Sequence, residues 1–304
     1  MELLRNWSLK FFDNQLEKGY DWKVRNSENL EILNIKPYCP AVFIFNHSAS
    51  DDPILAYKLI YPVAPERVDN VIVPVSEHHT KLTKFPLYSV GVTLSRGLLG
   101  FDTPKVVQPY RLRKDVTQND ELSKKSAGLA RELFGLLDEK LPTAPLVLLS
   151  PEAHRSESGQ LLPGEAGAGA IAKLMEKKKV RGEMGDGFFI PIGIEIENYT
   201  GKKLYYNTKD KSQVTFTVGR PITSAEAVAF GRIVSNGEKA ESIVISHYLM
   251  SQIARLLPEG RQGVYHPDLI ADTFKGRFIQ RSDKNDNVYV YDIWNQQRFE
   301  MAQV

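Results

Sequence analysis

The apolar positions of the chain fall into two kinds of segment, short continuous runs and longer stretches with helical spacing. The short runs are of strand length and rich in β-branched and aromatic residues; they are residues 41–45, 71–75, 146–149, 188–194 and 214–218. The longer stretches place apolar residues three or four positions apart and predict helices at 122–140, 167–178 and 242–257. Strands that are apolar at every position are buried on both faces. Their alternation with helices predicts an α/β fold in which helices cover both faces of the sheet.

The first 20 residues predict a further helix. Its apolar residues recur near helical spacing with charged residues between them, and they are Leu4, Trp7, Phe11 and Leu16. Two interpretations fit this amphipathic pattern: the helix packs on the domain, or it lies on a membrane surface with Trp7, Phe11 and Phe12 in the interface. We expect the packed helix.

The end of the chain differs in character from the centre. From Gly276 onwards it is polar and aromatic, and it predicts a short hairpin around residues 283–287. We therefore expect three parts: an N-terminal helical segment (1–35), an α/β core (36–225), and a C-terminal helix and extension packed on the core (226–304).

Composition narrows the class of protein. Hydrophobic residues make up 42% and charged residues 25% of the 304 residues, as in a globular protein with a real core. The net charge of +2 is too small to favour nucleic-acid binding. The one cysteine, Cys39, excludes an intramolecular disulfide and suits a reducing compartment. No secretory signal and no apolar run of membrane-spanning length is present, so we expect a cytoplasmic location, with peripheral contact at the cytoplasmic membrane face as an alternative.

Two polar loops follow apolar strands, and each contains a histidine with acidic neighbours. In open α/β sheets, functional groups gather at the carboxyl ends of the strands. In the first loop, residues 46–52, His47 is suited to accept a proton near neutral pH, and Asp52 could orient its ring. In the alternative interpretation, Asp52 only caps the helix that Pro53 opens.

The second loop, residues 150–156, carries Glu152 and Arg155. The planar guanidinium of Arg155 can bind a phosphate group. The Glu152 carboxylate can accept a hydrogen bond from a substrate hydroxyl or hold an arginine in place. Taken alone, such a pair is more often a surface ion pair.

Together the loops resemble a known family. The block Asn-His, four residues, Asp occurs at Asn46, His47 and Asp52. Further similar blocks follow in order at residues 91–96, 150–156, 190–194 and 218–222. This arrangement over roughly residues 40–222 resembles the glycerolipid acyltransferases, which include glycerol-3-phosphate and 1-acylglycerol-3-phosphate acyltransferases.

The resemblance implies a mixed β-sheet flanked by helices and an O-acyltransferase of phospholipid biosynthesis. It implies His47 as the general base and Asp52 as its partner. The substrate-binding residues that it implies are Asn46, Arg96, Glu152, Arg155 and Ser156. The donor would be acyl-CoA or acyl carrier protein, and the acceptor a glycerophosphate or lysophospholipid hydroxyl. No metal, cofactor or nucleic acid is required.

This chain departs from the family pattern at residues that would bind the acyl acceptor. The third block has Ser150, Ala153 and His154 where the family has Phe, Gly and Thr, and Glu165 stands where a basic residue is common. Two alternatives therefore stay open. One is the same chemistry on a non-phosphate acceptor such as an alcohol, amine or glycolipid, and the other is a non-catalytic lipid-binding relative.

Overall fold

The computed structural model describes residues 20–47, 58–67, 69–77, 101–107, 119–153, 158–197, 212–234, 241–266, 278–282, 288–292 and 297–300, together with Glu17, Ala56 and Ser156. Several predicted features lie outside these residues. They are most of the N-terminal helix and three site residues, Asp52, Arg96 and Arg155.

The strands and helices of the described chain alternate through its centre. The strands are β1 (Tyr20–Arg25), β2 (Ala41–Phe45), β3 (Val71–Ile72), β4 (Val75–Ser76), β5 (Lys105–Val106), β6 (Leu146–Leu149), β7 (Phe188–Ile196), β8 (Ser212–Val218), β9 (Ile222–Thr223), β10 (Phe278–Ser282), β11 (Val288–Asp292) and β12 (Gln297–Glu300). The helices are α1 (Ile32–Ile35), α2 (Asn119–Lys140), α3 (Gly167–Val180), α4 (Ser224–Val234) and α5 (Ser242–Ala254).

The main sheet is mixed. Its strand order is β1-β8-β7-β2-β6-β3, with β9 also paired to β7. The central strands β7, β2, β6 and β3 run parallel. Strand β8 runs antiparallel to β7, and β1 runs parallel to β8. The predicted mixed α/β sheet is therefore confirmed.

Both faces of this sheet are buried, which explains why the central strands are apolar at every position. Along β2, Phe43 and Phe45 belong to one hydrophobic core, and Val42 and Ile44 belong to the other. Helices α2 to α5 pack on the second face, where they contribute Leu137, Ile171, Ala227 and Leu249. The first face is covered by residues from the chain on either side of β2, including Leu30, Leu33 and Ile60.

A glycine fixes the position of α3 against α5. An ideal Cβ on Gly169 would overlap the carbonyl oxygen of Ser242. The Gly169 N–H donates a 2.8 Å hydrogen bond to the hydroxyl of Ser246, which is fully buried. Because the first N–H groups of a helix have no partner within it, this contact satisfies one of them and holds the first turn of α3 in place.

The prediction of a helical segment over residues 1–35 is wrong for residues 20–25, which form β1. Only Tyr20 of this strand is buried, and most of its other residues are exposed. An edge strand that pairs on one side has little apolar pattern, so its sequence lacks the signal that marks the central strands. The predicted strand 71–75 is divided into β3 and β4.

The remaining predicted helices and strands that lie on described residues are confirmed with small shifts in their bounds. The helices predicted at 122–140, 167–178 and 242–257 correspond to α2, α3 and α5. The hairpin predicted around 283–287 is present as the antiparallel pair β10 and β11. None of the helices in the described ranges has the length and apolar composition needed to cross a bilayer.

Candidate functional site

The two polar loops meet because their strands are neighbours. Strands β2 and β6 run parallel, with Ile44 paired to Leu149 near their carboxyl ends. The chain leaving β2 enters Asn46 and His47, and the chain leaving β6 enters the turn that contains Glu152. Both loops therefore emerge at one edge of the sheet.

Glu152 joins the two loops through hydrogen bonds to backbone groups. Its Oε2 accepts a bond from the His47 N–H at 2.5 Å, and its Oε1 accepts one from the Leu162 N–H at 2.7 Å. Only 1% of Glu152 is exposed. A buried carboxylate that accepts two backbone N–H groups is strongly held, because each bond is charge-assisted. Glu152 thus positions the backbone of His47.

Asn46 and Ser156 make further hydrogen bonds at and next to His47. The Asn46 Nδ2 donates to the Ile194 carbonyl at 2.8 Å, and its Oδ1 accepts from the Ile194 N–H at 2.7 Å. The Ser156 N–H donates to the His47 carbonyl at 3.3 Å. Both residues are buried. Direct contact of Asn46, Glu152 or Ser156 with a substrate stays a prediction.

His47 lies beside a cavity of about 300 Å³. Most of its lining is apolar and comes from the sheet and from helix α2, including Phe45, Val75, Leu133, Phe134 and Leu148. Among the described residues, the polar members of the lining are His47, Ser76, Ser126, Ser150 and Glu165. The backbone of His47 is thus hydrogen-bonded at both its N–H and its carbonyl, and the residue lines a mainly apolar cavity.

Ala153 adopts a backbone conformation that favours glycine. Its φ is +58°, in the left-handed region, directly after a turn in which its N–H donates to the Ser150 carbonyl at 3.2 Å. An alanine in this region carries a local steric cost, because its Cβ comes close to the following carbonyl oxygen.

We expect Ala153→Gly to raise the free energy of unfolding by about 1 kcal/mol, because it relieves the Cβ strain of a left-handed alanine. Urea denaturation of both proteins measures the difference. The matched control is Ala130→Gly in α2, which should instead lower stability by about 1 kcal/mol, since a glycine inside a helix is unfavourable. If Ala153→Gly lowered the free energy of unfolding, the proposed Cβ strain at Ala153 would be contradicted.

A second histidine, His247, lies close to the segment that contains Gly164 and Glu165. The hydroxyl of Tyr265 accepts a 2.7 Å bond from the Gly164 N–H and lies 2.8 Å from Nδ1 of His247. Since that hydroxyl has one proton to donate, the arrangement fits a neutral His247 that accepts it. Burial lowers the pKa of His247 to about 4, and the Glu165 carboxylate opposes this shift. Burial likewise raises the pKa of Tyr265 above its usual range.

The lowered pKa of His247 predicts a loss of stability in acid. Between its ordinary pKa of 6.5 and about 4, the unfolded chain binds a proton that the folded chain does not. Stability therefore falls as the pH drops through this window, by about 3 kcal/mol in total. Denaturation of wild type and His247→Gln between pH 7 and 4 measures it, because glutamine keeps an acceptor for Tyr265 and cannot titrate. If the free energy of unfolding changed with pH in the same way for both proteins, the lowered pKa of His247 would be contradicted.

Sequence reasoning found the two loops but missed part of their chemistry. It did not indicate the buried, unpaired hydroxyls of Ser76 and Ser150 or the pair of His247 and Tyr265. These depend on contacts between distant segments. The roles of Asp52, Arg96 and Arg155 stay predictions, because those residues lie outside the described chain.

Comparison with known proteins finds similarity among solved structures. No protein-family model and no curated protein matches the chain. Among solved structures, the chain is similar to the crystal structure of the 1-acyl-sn-glycerophosphate (LPA) acyltransferase PlsC from Thermotoga maritima. The TM-score is 0.39 with 14% sequence identity, over 83% of this chain and 79% of that chain. A likeness of this size assigns no family to the chain.

Proposed function

We propose that this protein is an O-acyltransferase that moves a fatty acyl group from a thioester, acyl-CoA or acyl carrier protein, to a hydroxyl group. The observation that carries the proposal is the position of His47. It follows a central strand, its backbone is held by Glu152 and Ser156, and it lines a largely apolar cavity of about 300 Å³. An apolar cavity beside a base suits a substrate with a hydrocarbon chain next to its reacting group.

The reaction needs one base and no redox step. His47 accepts the proton of the acceptor hydroxyl while the oxygen attacks the thioester carbonyl, so that a C–O bond forms. The tetrahedral oxyanion then collapses, the C–S bond breaks, and His47 returns the proton to the departing thiolate. In this proposal Asp52 fixes the tautomer of His47 and stabilises its cationic form.

Two classes of acceptor are candidates. The sequence blocks support a glycerophosphate or lysophospholipid, bound through Arg96 and Arg155, in phospholipid biosynthesis at a membrane surface. A non-phosphate acceptor is the second candidate. It is favoured by one observation, that the carboxylate-bearing residue Glu165 lines the cavity beside His47.

The proposal is tested by thiol release from acyl-CoA and acyl carrier protein. The purified full chain is mixed with each donor and, in turn, with glycerol, glycerol 3-phosphate, monoacylglycerol and lysophosphatidate. We expect thiol release that depends on an acceptor and an acylated product in equal amount. Binding of acyl chains without turnover on any acceptor would overturn the proposal in favour of a non-catalytic lipid-binding protein.

A further inference from the structure

Residues 158–165 join the loop of Glu152 to helix α3, and they contribute to the candidate site in two ways. The Leu162 N–H donates to Oε1 of Glu152, whose other carboxylate oxygen accepts the N–H of His47. Glu165, at the end of the same stretch, lines the cavity together with His47. A movement of residues 158–165 would therefore also move the backbone of His47, because one buried carboxylate binds both.

This stretch is held by residues 258–266, which follow helix α5 about 100 residues later in the chain. The Leu161 N–H donates to the Arg261 carbonyl at 2.9 Å, and Nη1 of Arg261 donates to the Ser158 carbonyl at 3.1 Å. Gly263 has a φ of +54°, and an ideal Cβ on it would overlap the Leu161 carbonyl oxygen. Glycine allows this φ and lets the two backbones lie in direct contact.

Tyr265 makes a further contact of the same kind, and it is buried. Its side chain is only 2% exposed. The hydroxyl accepts the Gly164 N–H at 2.7 Å and lies 2.8 Å from Nδ1 of His247 on α5. An ideal Cβ on Gly164 would come within 2.7 Å of Met250 Cγ, so the stretch also packs closely on α5 at this point. Tyr265 thus fixes Gly164, the residue before the cavity-lining Glu165.

We propose that Tyr265 is a positioning residue of the acyl-transfer site, which acts through residues 158–165 and Glu152 on the backbone of His47. Tyr265 is not among the described residues that line the cavity, so it acts without touching the substrate. A catalytic group must be held closely, because misplacement by about 1 Å can cost a hundredfold in rate. This inference rests on the proposed function, since it names what fixes the base of that reaction.

The test compares two variants that each delete one buried hydroxyl, Tyr265→Phe and Tyr248→Phe. The Tyr248 hydroxyl donates to Oε1 of Glu226 on α4, and Tyr248 is also 2% exposed. Tyr265→Phe should lower kcat about tenfold with little change in KM for the acyl donor, because the base is misplaced while the apolar cavity still binds the chain. Tyr248→Phe should lose stability but keep the wild-type kcat. Both are measured well below their thermal unfolding midpoints.

Amide hydrogen exchange measures the same coupling without any substrate. It is followed by mass spectrometry in peptides that cover residues 158–165 and His47. In Tyr265→Phe both peptides should exchange about tenfold faster, since one buried hydrogen bond no longer opposes local opening. In Tyr248→Phe both should exchange at the wild-type rate. This readout distinguishes a positioning role from a general loss of stability.

A milder variant decides the question if Tyr265→Phe does not fold. Arg261→Ala removes the side-chain bond to the Ser158 carbonyl, which lies at the surface. It should speed exchange of residues 158–165 about threefold and lower kcat by a similar factor, because an exposed hydrogen bond contributes less than a buried one. Arg232→Ala, at an exposed position of α4, is the matched control and should change neither quantity.

The outcomes separate this inference from the function on which it rests. Wild-type kcat in a folded Tyr265→Phe protein, or an equal loss of kcat in Tyr248→Phe, would overturn the positioning role and leave the acyltransferase proposal intact. Unchanged exchange of residues 158–165 in Tyr265→Phe would overturn it as well, whether or not wild type shows turnover. Failure of wild type to release thiol with every acceptor would instead contradict the proposed function.

Discussion

His47→Ala is expected to lower kcat for acyl transfer by about a thousandfold, because the acceptor hydroxyl would lose its proton acceptor in the transition state. The KM values should change little, since the base contributes to the transition state more than to ground-state binding. The backbone contacts of His47 with Glu152 and Ser156 do not involve its imidazole. The fold should therefore persist, and thiol release under saturating substrate measures the chemical step.

A matched control separates the loss of a base from the loss of any histidine. His266 directly follows the short 3₁₀ helix Gly263–Tyr265 and is not among the residues that line the cavity. His266→Ala should retain a wild-type kcat. Both variants are first compared with wild type by thermal unfolding. Full activity in a folded His47→Ala protein would eliminate His47 as the base.

The central strands could be predicted from the sequence because each of them is buried on both faces. A strand such as β2 must be apolar at every position, and residues 41–45 have no other simple interpretation. Strand β1 could not be predicted in this way. It pairs at the edge with β8, about 190 residues later, and Tyr20 is its one buried residue.

In the candidate site too, only the features that depend on local sequence order could be predicted. The position of His47 follows from local order, because a polar loop after a buried strand lies at the carboxyl edge of the sheet. The contacts of Glu152 do not follow from local order. Its two partners are backbone N–H groups, one of them 105 residues away, and any residue type supplies such a group. A sequence pattern therefore cannot reveal which N–H a buried carboxylate will bind.

The buried position of Glu152 changes the explanation of the third block. The sequence suggested that Glu152 binds substrate or holds an arginine, whereas its carboxylate accepts bonds from the backbone of His47 and Leu162. The block thus acts on the first loop through its backbone, and His47 is positioned by a residue that need not touch a substrate. This distinguishes residues that hold the backbone of the site, such as Glu152 and Asn46, from residues that would contact a substrate.

Glu152→Ala is expected to lower the free energy of unfolding by about 4 kcal/mol, because it leaves two backbone N–H groups without an acceptor in a buried setting. In the fraction that folds, His47 would also lose its fixed backbone position, and misplacement of a catalytic group by about 1 Å can cost a hundredfold in rate. Urea denaturation and thiol release measure the two effects. Glu139→Ala, at an exposed site on α2, should change neither quantity.

Glu152→Gln tests the positioning role more sharply because it keeps the side-chain volume. Glutamine has one oxygen and one NH₂ group, so in either orientation an NH₂ group faces the N–H of His47 or of Leu162. We expect a loss of about 2 kcal/mol in stability, and a lower kcat with nearly unchanged KM for the acyl donor. If Glu152 instead bound the acceptor directly, KM for the acceptor would rise while stability stayed near that of wild type. Wild-type stability and kcat in Glu152→Gln would show that neither backbone contact matters to the site.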